Sequence, residues 1–213
     1  MTEQAVAALR PDDVRIAARS SYDALLPLSE ADWSRPAVGL DWDCRFTLEH
    51  VLIALDKYSR WLATPTGERT PPDQFRDPNL SITDLLALLQ LRAGVLAVVV
   101  KASEPGARGF PIWGAPDAEG YVAIACVEIF LHTDDICRGL GLTYRPPADL
   151  CRRALMRLFP WAPADTDPWA ALRWATGRLD LPGQPPTSPD WAWQAAPLSE
   201  WDGTVKTRAS YAP

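Results

Sequence analysis

Apolar residues recur at helical spacing in four long segments of the chain. These segments cover about residues 14–25, 46–63, 82–102 and 118–138, and Pro27 ends the first of them. No segment shows the alternation of apolar and polar residues that is typical of a strand. The pattern therefore predicts an all-α protein built on a four-helix bundle.

The pattern changes after the fourth helix. Two shorter helices are predicted, over about residues 148–159 and 168–177, because each follows or begins with proline, which suits the first helical position. The remaining chain is rich in proline and tryptophan, which predicts an irregular tail. We therefore divide the chain into a helical bundle, residues 1–142, and a C-terminal extension packed on it, residues 143–213.

Composition and charge exclude several classes of partner. The 213 residues are 47% hydrophobic and 23% charged, with a net charge of −6 and no basic run, which argues against binding to nucleic acid or an anionic membrane. The first residues lack the pattern of a signal peptide, and we expect no apolar segment of membrane-spanning length. We expect a cytoplasmic protein whose four cysteines, with no CxxC pair, form no disulfides.

Two polar residues lie one turn apart inside the apolar fourth helix. Glu128 and His132 share a helical face with Tyr121 and Ile124, which indicates that this face points inward. A buried carboxylate without a partner is costly, so Glu128 should be paired or should bind a ligand. Because a glutamate and a histidine at this spacing can converge on one cation, the pair is a candidate for part of a metal site.

A third ligand is available on the second helix, where His50 is the only other histidine of the chain. His50, Glu128 and His132 would leave coordination positions open, which suits a catalytic zinc, or another divalent ion, better than a structural one. Asp135, one turn further along the same stripe, is a candidate to accept a hydrogen bond from an imidazole and orient it. Two other interpretations stay open: a simple Glu128–His132 ion pair, or a hydrogen-bonded core histidine.

Three more residues are candidates for a substrate pocket. Trp42 and Trp113, in the loops before the second and fourth helices, are candidates for its walls; alternatively, they close the ends of the bundle. Arg45 is a candidate to receive an anionic substrate group, or it forms a surface salt bridge with Asp41 or Asp43. No catalytic residue can be named, since the sequence has neither a nucleophile elbow nor a glycine-rich phosphate loop.

Two segments of the chain, DWDCRFTLEHVLIALDKYSRWLA and VEIFLHTDDICRGLGL, resemble a known family. It is the mycothiol-dependent maleylpyruvate isomerase family, within the DinB-like superfamily. They resemble the second helix of that family, which follows a tryptophan and carries a metal-binding histidine, and the fourth, where a glutamate and a histidine supply the other two ligands. The resemblance places His50, Glu128 and His132 in the ligand positions. It covers about the first 142 residues, and the later part resembles a short C-terminal extension of actinobacterial members.

The resemblance implies a metal-dependent enzyme that uses a low-molecular-weight thiol, mycothiol, for S-transfer to, or isomerisation of, a small electrophilic substrate. Zinc is the first choice of metal. The extension looks shorter than the C-terminal domain of the isomerase itself, which leaves the substrate open. The alternatives are a small-molecule binding or sequestering protein with a vestigial metal site, and a structural bundle with a buried Glu128–His132 pair. Exposed tryptophans near the C-terminus would favour a homodimer.

Overall fold

The structure is a computed structural model that describes residues 7–64, 76–110 and 113–211. In these ranges the regular structure is helical. The α-helices are α1 (Asp13–Leu25), α2 (Cys44–Ala63), α3 (Ile82–Ala102), α4 (Ala118–Gly139), α5 (Ala148–Leu158) and α6 (Pro168–Ala175). Three short 3-10 helices lie at Leu26–Leu28, Leu198–Glu200 and Arg208–Tyr211. The prediction of four long and two shorter helices is confirmed. Most of the N-terminal segment on which the signal-peptide expectation rests lies outside the described residues.

Side-chain caps fix where the long helices begin. The Asp43 carboxylate accepts a hydrogen bond from the main-chain N–H of Phe46 at 2.6 Å, at the start of α2. Ser81 and Asp84 form a reciprocal capping box at the start of α3. Because these caps satisfy main-chain donors that lack partners inside the helix, they set the register in which each helix presents its apolar face.

The helices pack so that α2 lies beside α4. Each of α1 and α2 packs against both α3 and α4, while α5 packs on α4 and α6 packs on α5. One apolar cluster runs through the bundle and the extension, and it includes Leu55, Phe130, Leu155 and Leu172. The neighbouring positions of α2 and α4 allow polar residues from the two helices to meet.

A single buried arginine holds the tail against α5. The guanidinium of Arg157 donates hydrogen bonds to the main-chain oxygens of Gln194, Ala195 and Ala196 at 3.0–3.1 Å. It also donates to the carboxylate of Asp117, before α4, at 2.7 Å. Main-chain oxygens of an irregular segment need such donors once they are buried.

The tail carries much of the aromatic content of the chain. Ring contacts link Trp113 to Trp193 at a centroid distance of 4.8 Å, Trp193 to Trp191 at 5.7 Å, and Trp161 to Trp201 at 6.3 Å. We call these five residues the tail cluster. All ten tryptophans are buried or half-buried, so the exposed tryptophans that would favour a homodimer are not found.

The third helix corrects one expectation. Among the helices of the described residues, α3 alone is long and apolar enough to cross a membrane, with 21 residues and a mean hydropathy of 1.9. The expectation that no apolar segment reaches this length was therefore wrong. One such helix is weak evidence for a membrane span, because core helices meet the same criterion, and α3 packs against α1 and α2.

Candidate metal centre

Three side chains from α2 and α4 meet at one point inside the bundle. His50 comes from α2, and Glu128 and His132 come from α4. Their nitrogen and oxygen atoms all lie within 4.8 Å of one another. The Oε2 atom of Glu128 is 3.2 Å from Nε2 of His132 and 3.6 Å from Nε2 of His50. The structure therefore brings together the three residues that the sequence singled out.

The shared carboxylate oxygen lacks a partner. Oε2 of Glu128 is buried, and neither imidazole nor any other group of the described residues makes a hydrogen bond with it. A buried polar atom in this state is costly. A divalent cation between the oxygen and the two Nε2 atoms would supply what it lacks, so these residues fit a metal ion of the type bound by histidine and carboxylate.

The site opens towards the surface on one side. The side chain of His132 is 9% exposed and that of Glu128 is 14% exposed, whereas that of His50 is 31% exposed. A small solute can therefore approach past His50, while α4 closes the opposite side.

The metal-free site favours charged side chains. Burial alone would raise the pKa of Glu128, but the two imidazoles beside it outweigh that effect and hold the pKa well below the ordinary value of 4.5. Burial would lower the pKa of His132, but Asp135 and Glu128 outweigh it and raise the pKa above 6.5. Without a metal ion, the environment of these two side chains therefore favours a charged carboxylate at Glu128 and a charged imidazole at His132.

Asp135 contacts the outer nitrogen of His132. Its Oδ2 atom lies 3.2 Å from Nδ1 of His132, and its carboxylate also accepts two hydrogen bonds from Arg178, at 2.9 and 3.0 Å. Burial would raise the pKa of Asp135, but the contacts with His132 and Arg178 lower it below 3.8. With Nδ1 turned to Asp135, Nε2 is the nitrogen that faces Glu128. The sequence interpretation singled out Asp135 and missed Arg178.

Tyr58 on α2 is a further neighbour of Glu128 that the sequence analysis did not single out as a site residue. Its hydroxyl donates to Oε1 of Glu128 at 3.4 Å, and burial together with the Glu128 charge raises its pKa well above 10. The ring of Tyr58 packs against that of Tyr121 at 5.7 Å. Gly109 lies so close to Tyr121 that a β-carbon at this position would overlap the tyrosine hydroxyl. The signal for Tyr58 was its spacing of two turns from His50.

Trp42 packs against both imidazoles. Its ring centroid lies 4.7 Å from that of His50 and 6.3 Å from that of His132. It also lines an open depression of about 460 Å³ together with Gly39, Leu40 and Asp41. Trp42 is thus an apolar wall beside the two imidazoles, between them and this depression.

Trp113 belongs to a different region. Its described aromatic neighbours are Trp191 and Trp193 of the tail cluster, at 6.0 and 4.8 Å, and the guanidinium of Arg208 lies over its ring at 5.5 Å. These contacts hold the indole in the tail cluster, whereas Trp42 is the tryptophan in contact with the two imidazoles.

Arg45 has partners on the outer side of α2. It donates to the carboxylate of Glu49 at 3.0 Å and to the main-chain oxygen of Asp77 at 3.1 Å. Its acidic partner is thus Glu49 rather than Asp41 or Asp43. Five residues separate Arg45 from His50, which places them about 140° apart around the helix. A role for Arg45 in binding substrate stays a prediction.

The four cysteines are free and buried. Burial raises the pKa of Cys44 to about 11 and those of Cys137 and Cys151 to about 12, and it raises the pKa of Cys126 as well. A thiol with so high a pKa forms little thiolate near neutral pH and is a poor nucleophile. The cysteines therefore have the properties of core residues.

Comparison with known proteins gives one structural relationship. No protein-family model matches the chain, and no curated protein matches its sequence. The fold is similar to the crystal structure of a mycothiol-dependent maleylpyruvate isomerase, a histidine-to-alanine mutant, with a TM-score of 0.53 and 16% sequence identity. The match covers 83% of this chain and 95% of that chain, so it includes part of the extension as well as the bundle. At this identity the likeness shows the fold, an all-α DinB-like bundle with two further helices and an irregular tail.

Proposed function

We propose that this chain is a cytoplasmic, divalent-metal-dependent enzyme of the mycothiol-dependent maleylpyruvate isomerase family. It would use a low-molecular-weight thiol, mycothiol, for S-transfer to, or isomerisation of, a small electrophilic substrate. The observation that carries the proposal is a buried Glu128 oxygen, without a hydrogen-bond partner among the described residues, on which both histidines of the chain converge. The fold that it shares with a mycothiol-dependent isomerase supports the choice of thiol chemistry.

The three side chains would hold the ion through Nε2 of His50, Nε2 of His132 and a carboxylate oxygen of Glu128. When bound, a divalent ion lowers the pKa of a thiol, so that thiolate is available near neutral pH. Zinc is our first choice, although two imidazoles and a carboxylate also suit neighbouring divalent metals.

The remaining residues would orient the site and shape its opening. Asp135 keeps Nδ1 of His132 occupied, which leaves Nε2 free to bind. Tyr58 donates to the second oxygen of Glu128 and so restrains the rotation of the carboxylate. Trp42 offers an apolar face beside His50, where thiol and substrate would enter.

The chemistry proposed for the substrate is simple. At a carbon that carries a leaving group such as chloride, the thiolate displaces that group, the carbon–sulfur bond replaces the bond to the leaving group, and the result is S-transfer. At an activated carbon–carbon double bond, the thiolate adds to one carbon, the π bond breaks, and its electron pair moves to the activating group. If the adduct takes up a proton and keeps the sulfur, the result is S-transfer. If rotation about the former double bond is followed by loss of the same thiolate, the result is an isomer and a regenerated thiol.

The proposal is tested on full-length protein purified without a histidine tag. We expect about one equivalent of zinc, or of nickel or iron, per chain by elemental analysis, and consumption of the fluorogenic electrophile monochlorobimane in the presence of mycothiol. The His132→Ala variant should retain no metal, because it loses one of only three ligands.

The outcomes separate the candidate functions. Substoichiometric metal after supplementation, or full metal content in His132→Ala, would overturn the metal site and leave a structural Glu128–His132 pair. Stoichiometric metal with no thiol-dependent turnover would instead favour a binding or sequestering protein with a vestigial site.

A further inference from the structure

The C-terminal extension reaches the candidate metal centre through one side chain. Gly177 follows α6 with a φ of +71°, a left-handed conformation that glycine adopts without strain. The main-chain N–H of Gly177 donates to Trp174, and that of Arg178 donates to Arg173 at 2.7 Å. This turn ends the helix and directs the side chain of Arg178 towards α4.

Arg178 binds the buried carboxylate of Asp135 through two hydrogen bonds. Its Nε and Nη2 atoms donate to Oδ1 and Oδ2 of Asp135 at 3.0 and 2.9 Å. Asp135 is fully buried. A two-point contact between a guanidinium and a carboxylate fixes the plane of the carboxylate as well as its position, which a single hydrogen bond does not.

The same carboxylate orients His132. Oδ2 of Asp135 lies 3.2 Å from Nδ1 of His132, whose other nitrogen faces Glu128. A continuous series of contacts therefore runs from Arg178 through Asp135 to His132. Once the plane of the carboxylate is fixed, the direction from which it can accept the imidazole N–H is fixed as well.

We propose that Arg178 is a positioning residue of the metal centre, through which the C-terminal extension sets the orientation of the His132 ring. This inference rests on the proposed metal site for its consequence, but the orientation of His132 can be measured without metal. Loss of an outer partner of a metal-binding histidine typically lowers metal affinity by about 10–100-fold. An enzyme lacking the extension would accordingly keep all three ligands and bind metal poorly.

The chain contains a matched control for this contact. Arg173 is also in the extension, and its Nε atom lies 3.4 Å from the carboxylate of Asp134, the residue next to Asp135 on α4. Asp134 is buried like Asp135. Among the described contacts, however, Asp134 pairs with Arg173 and Arg138 and with no residue of the metal centre. The Arg173–Asp134 contact is an ion pair in which neither of the two atoms makes a hydrogen bond with the described residues, so it is weaker than the Arg178–Asp135 contact. Removing Arg173 thus breaks another ion pair between the extension and α4 without touching His132.

The test compares Arg178→Gln, Arg178→Lys and Arg173→Gln with the wild type in the full chain. Zinc affinity is measured by competition with a chromophoric chelator, and the imidazole resonances of the zinc-free proteins are recorded by NMR. We expect Arg178→Gln to weaken zinc binding by up to about tenfold, the lower end of the range for losing the direct partner of the histidine, because Asp135 stays in place. The variant should also shift or broaden the His132 resonances. Arg178→Lys should recover part of the affinity, and Arg173→Gln should stay within about twofold of the wild type in affinity and leave the His132 resonances in place.

Two results would overturn the role of Arg178. One is unchanged His132 resonances together with unchanged zinc affinity in Arg178→Gln. The other is an equal loss in Arg173→Gln, which would mean that general loosening of the extension is the cause. If the wild type binds no zinc, the proposed function fails, while the resonances of His132 still decide whether Arg178 orients the ring.

Discussion

Two polar clusters lie on different faces of α2, and the adjacent residues Glu49 and His50, about 100° apart around the helix, belong to them. We call the face with Glu49 the outer side and the face with His50 the inner side. On the outer side, the buried carboxylate of Glu49 is bound by Arg45 at 3.0 Å and by Arg76 at 2.6 Å, one arginine for each oxygen. On the inner side, His50 faces the carboxylate of Glu128, whose Oε2 atom has no hydrogen-bond partner among the described residues. Both clusters contain a glutamate whose side chain is at most 14% exposed and two basic side chains.

The clusters differ in the chemistry of their basic groups: arginine can only donate hydrogen bonds, whereas neutral histidine can also offer a lone pair. A guanidinium is always charged and carries only donors, so Arg45 and Arg76 saturate Glu49 and leave nothing to bind a ligand. An imidazole that loses its proton offers a lone pair instead. The ligand atoms of His50, Glu128 and His132 lie within 4.8 Å of one another and could hold a metal ion, whereas the outer cluster is a closed structural contact. Burial of a carboxylate alone would not have distinguished them.

The largest expected effect separates the two glutamates by metal affinity. Glu128→Gln removes a charged ligand. A zinc site with four ligands has an apparent binding free energy of about 10–16 kcal/mol, so an equal share for one ligand is about 3 kcal/mol, and zinc affinity should fall by about a hundredfold or more. Glu49→Gln, the matched change on the outer side, should leave zinc affinity within about twofold of the wild type. Chelator competition measures both, and equal losses in the two variants would erase the distinction between the clusters.

The second effect is the pH dependence of the inner cluster. Because Asp135 and Glu128 raise the pKa of His132 above 6.5 in the metal-free protein, metal must displace a proton. Zinc affinity should rise by about tenfold per pH unit below that raised pKa and level off above it. An affinity that is independent of pH across this window would show that His132 is not a ligand.

Protonation of His132 weakens zinc binding but stabilises the zinc-free protein, so the two quantities change with pH in opposite directions. A raised folded-state pKa means that the charged His132 stabilises the zinc-free protein fully below about pH 6.5, and this contribution is lost as the pH rises through the raised pKa. Melting temperatures measured with and without zinc should therefore diverge as the pH increases.

The third effect concerns the outer cluster and is a loss of stability. Glu49→Gln should lower the free energy of unfolding by about 1–2 kcal/mol, since it weakens two charge-assisted hydrogen bonds, one of them to the half-exposed Arg76. Urea denaturation of the zinc-free variants measures this loss. A larger loss in zinc-free Glu128→Gln than in Glu49→Gln would show that the inner cluster is a structural pair as well.

The smallest effect locates the ion on the inner side of α2. Cobalt(II), a paramagnetic substitute, should quench the fluorescence of Trp42, whose ring lies 4.7 Å from that of His50. As Trp42 is one of ten tryptophans, the change in total emission is small. Trp42→Phe should remove much of this quenching, while Trp113→Phe should retain it; the reverse result would place the ion near the tail cluster.

Much of the fold could be predicted from the sequence because its determinants are local. The boundaries of the six α-helices lie within two residues of those that the apolar periodicity, prolines and glycines predict. The Glu128–His132 pair was equally accessible, since residues four apart on a helix share a face. That His50 would join them depends on α2 packing beside α4, which the spacing of apolar residues does not predict. His50 was chosen as the only other histidine of the chain, and the family resemblance placed it in the third ligand position.

The contacts that sequence reasoning missed are long-range or lie in irregular structure. Arg178 contacts Asp135, which lies 43 residues earlier in the chain. The turn at Gly177 that makes this contact possible is not predicted by any repeating pattern of apolar residues. Trp113 joins the tail cluster because of tertiary packing between loop and tail. The pairing of Glu49 with Arg76 could not be predicted from the sequence for the same reason. Arg76 is in a loop, and the direction of its side chain is set by tertiary packing.

The contact of Gly109 with Tyr121 limits how this part of the chain can vary between species. Any larger residue at position 109 would overlap Tyr121 and displace its ring, which packs against Tyr58, whose hydroxyl donates to an oxygen of Glu128. The glycine and the two tyrosines should therefore be inherited together, with a side chain at position 109 accepted only alongside a smaller residue at position 121. A loop residue that contributes no chemical group would in this way be as strongly constrained as the side chains that it supports.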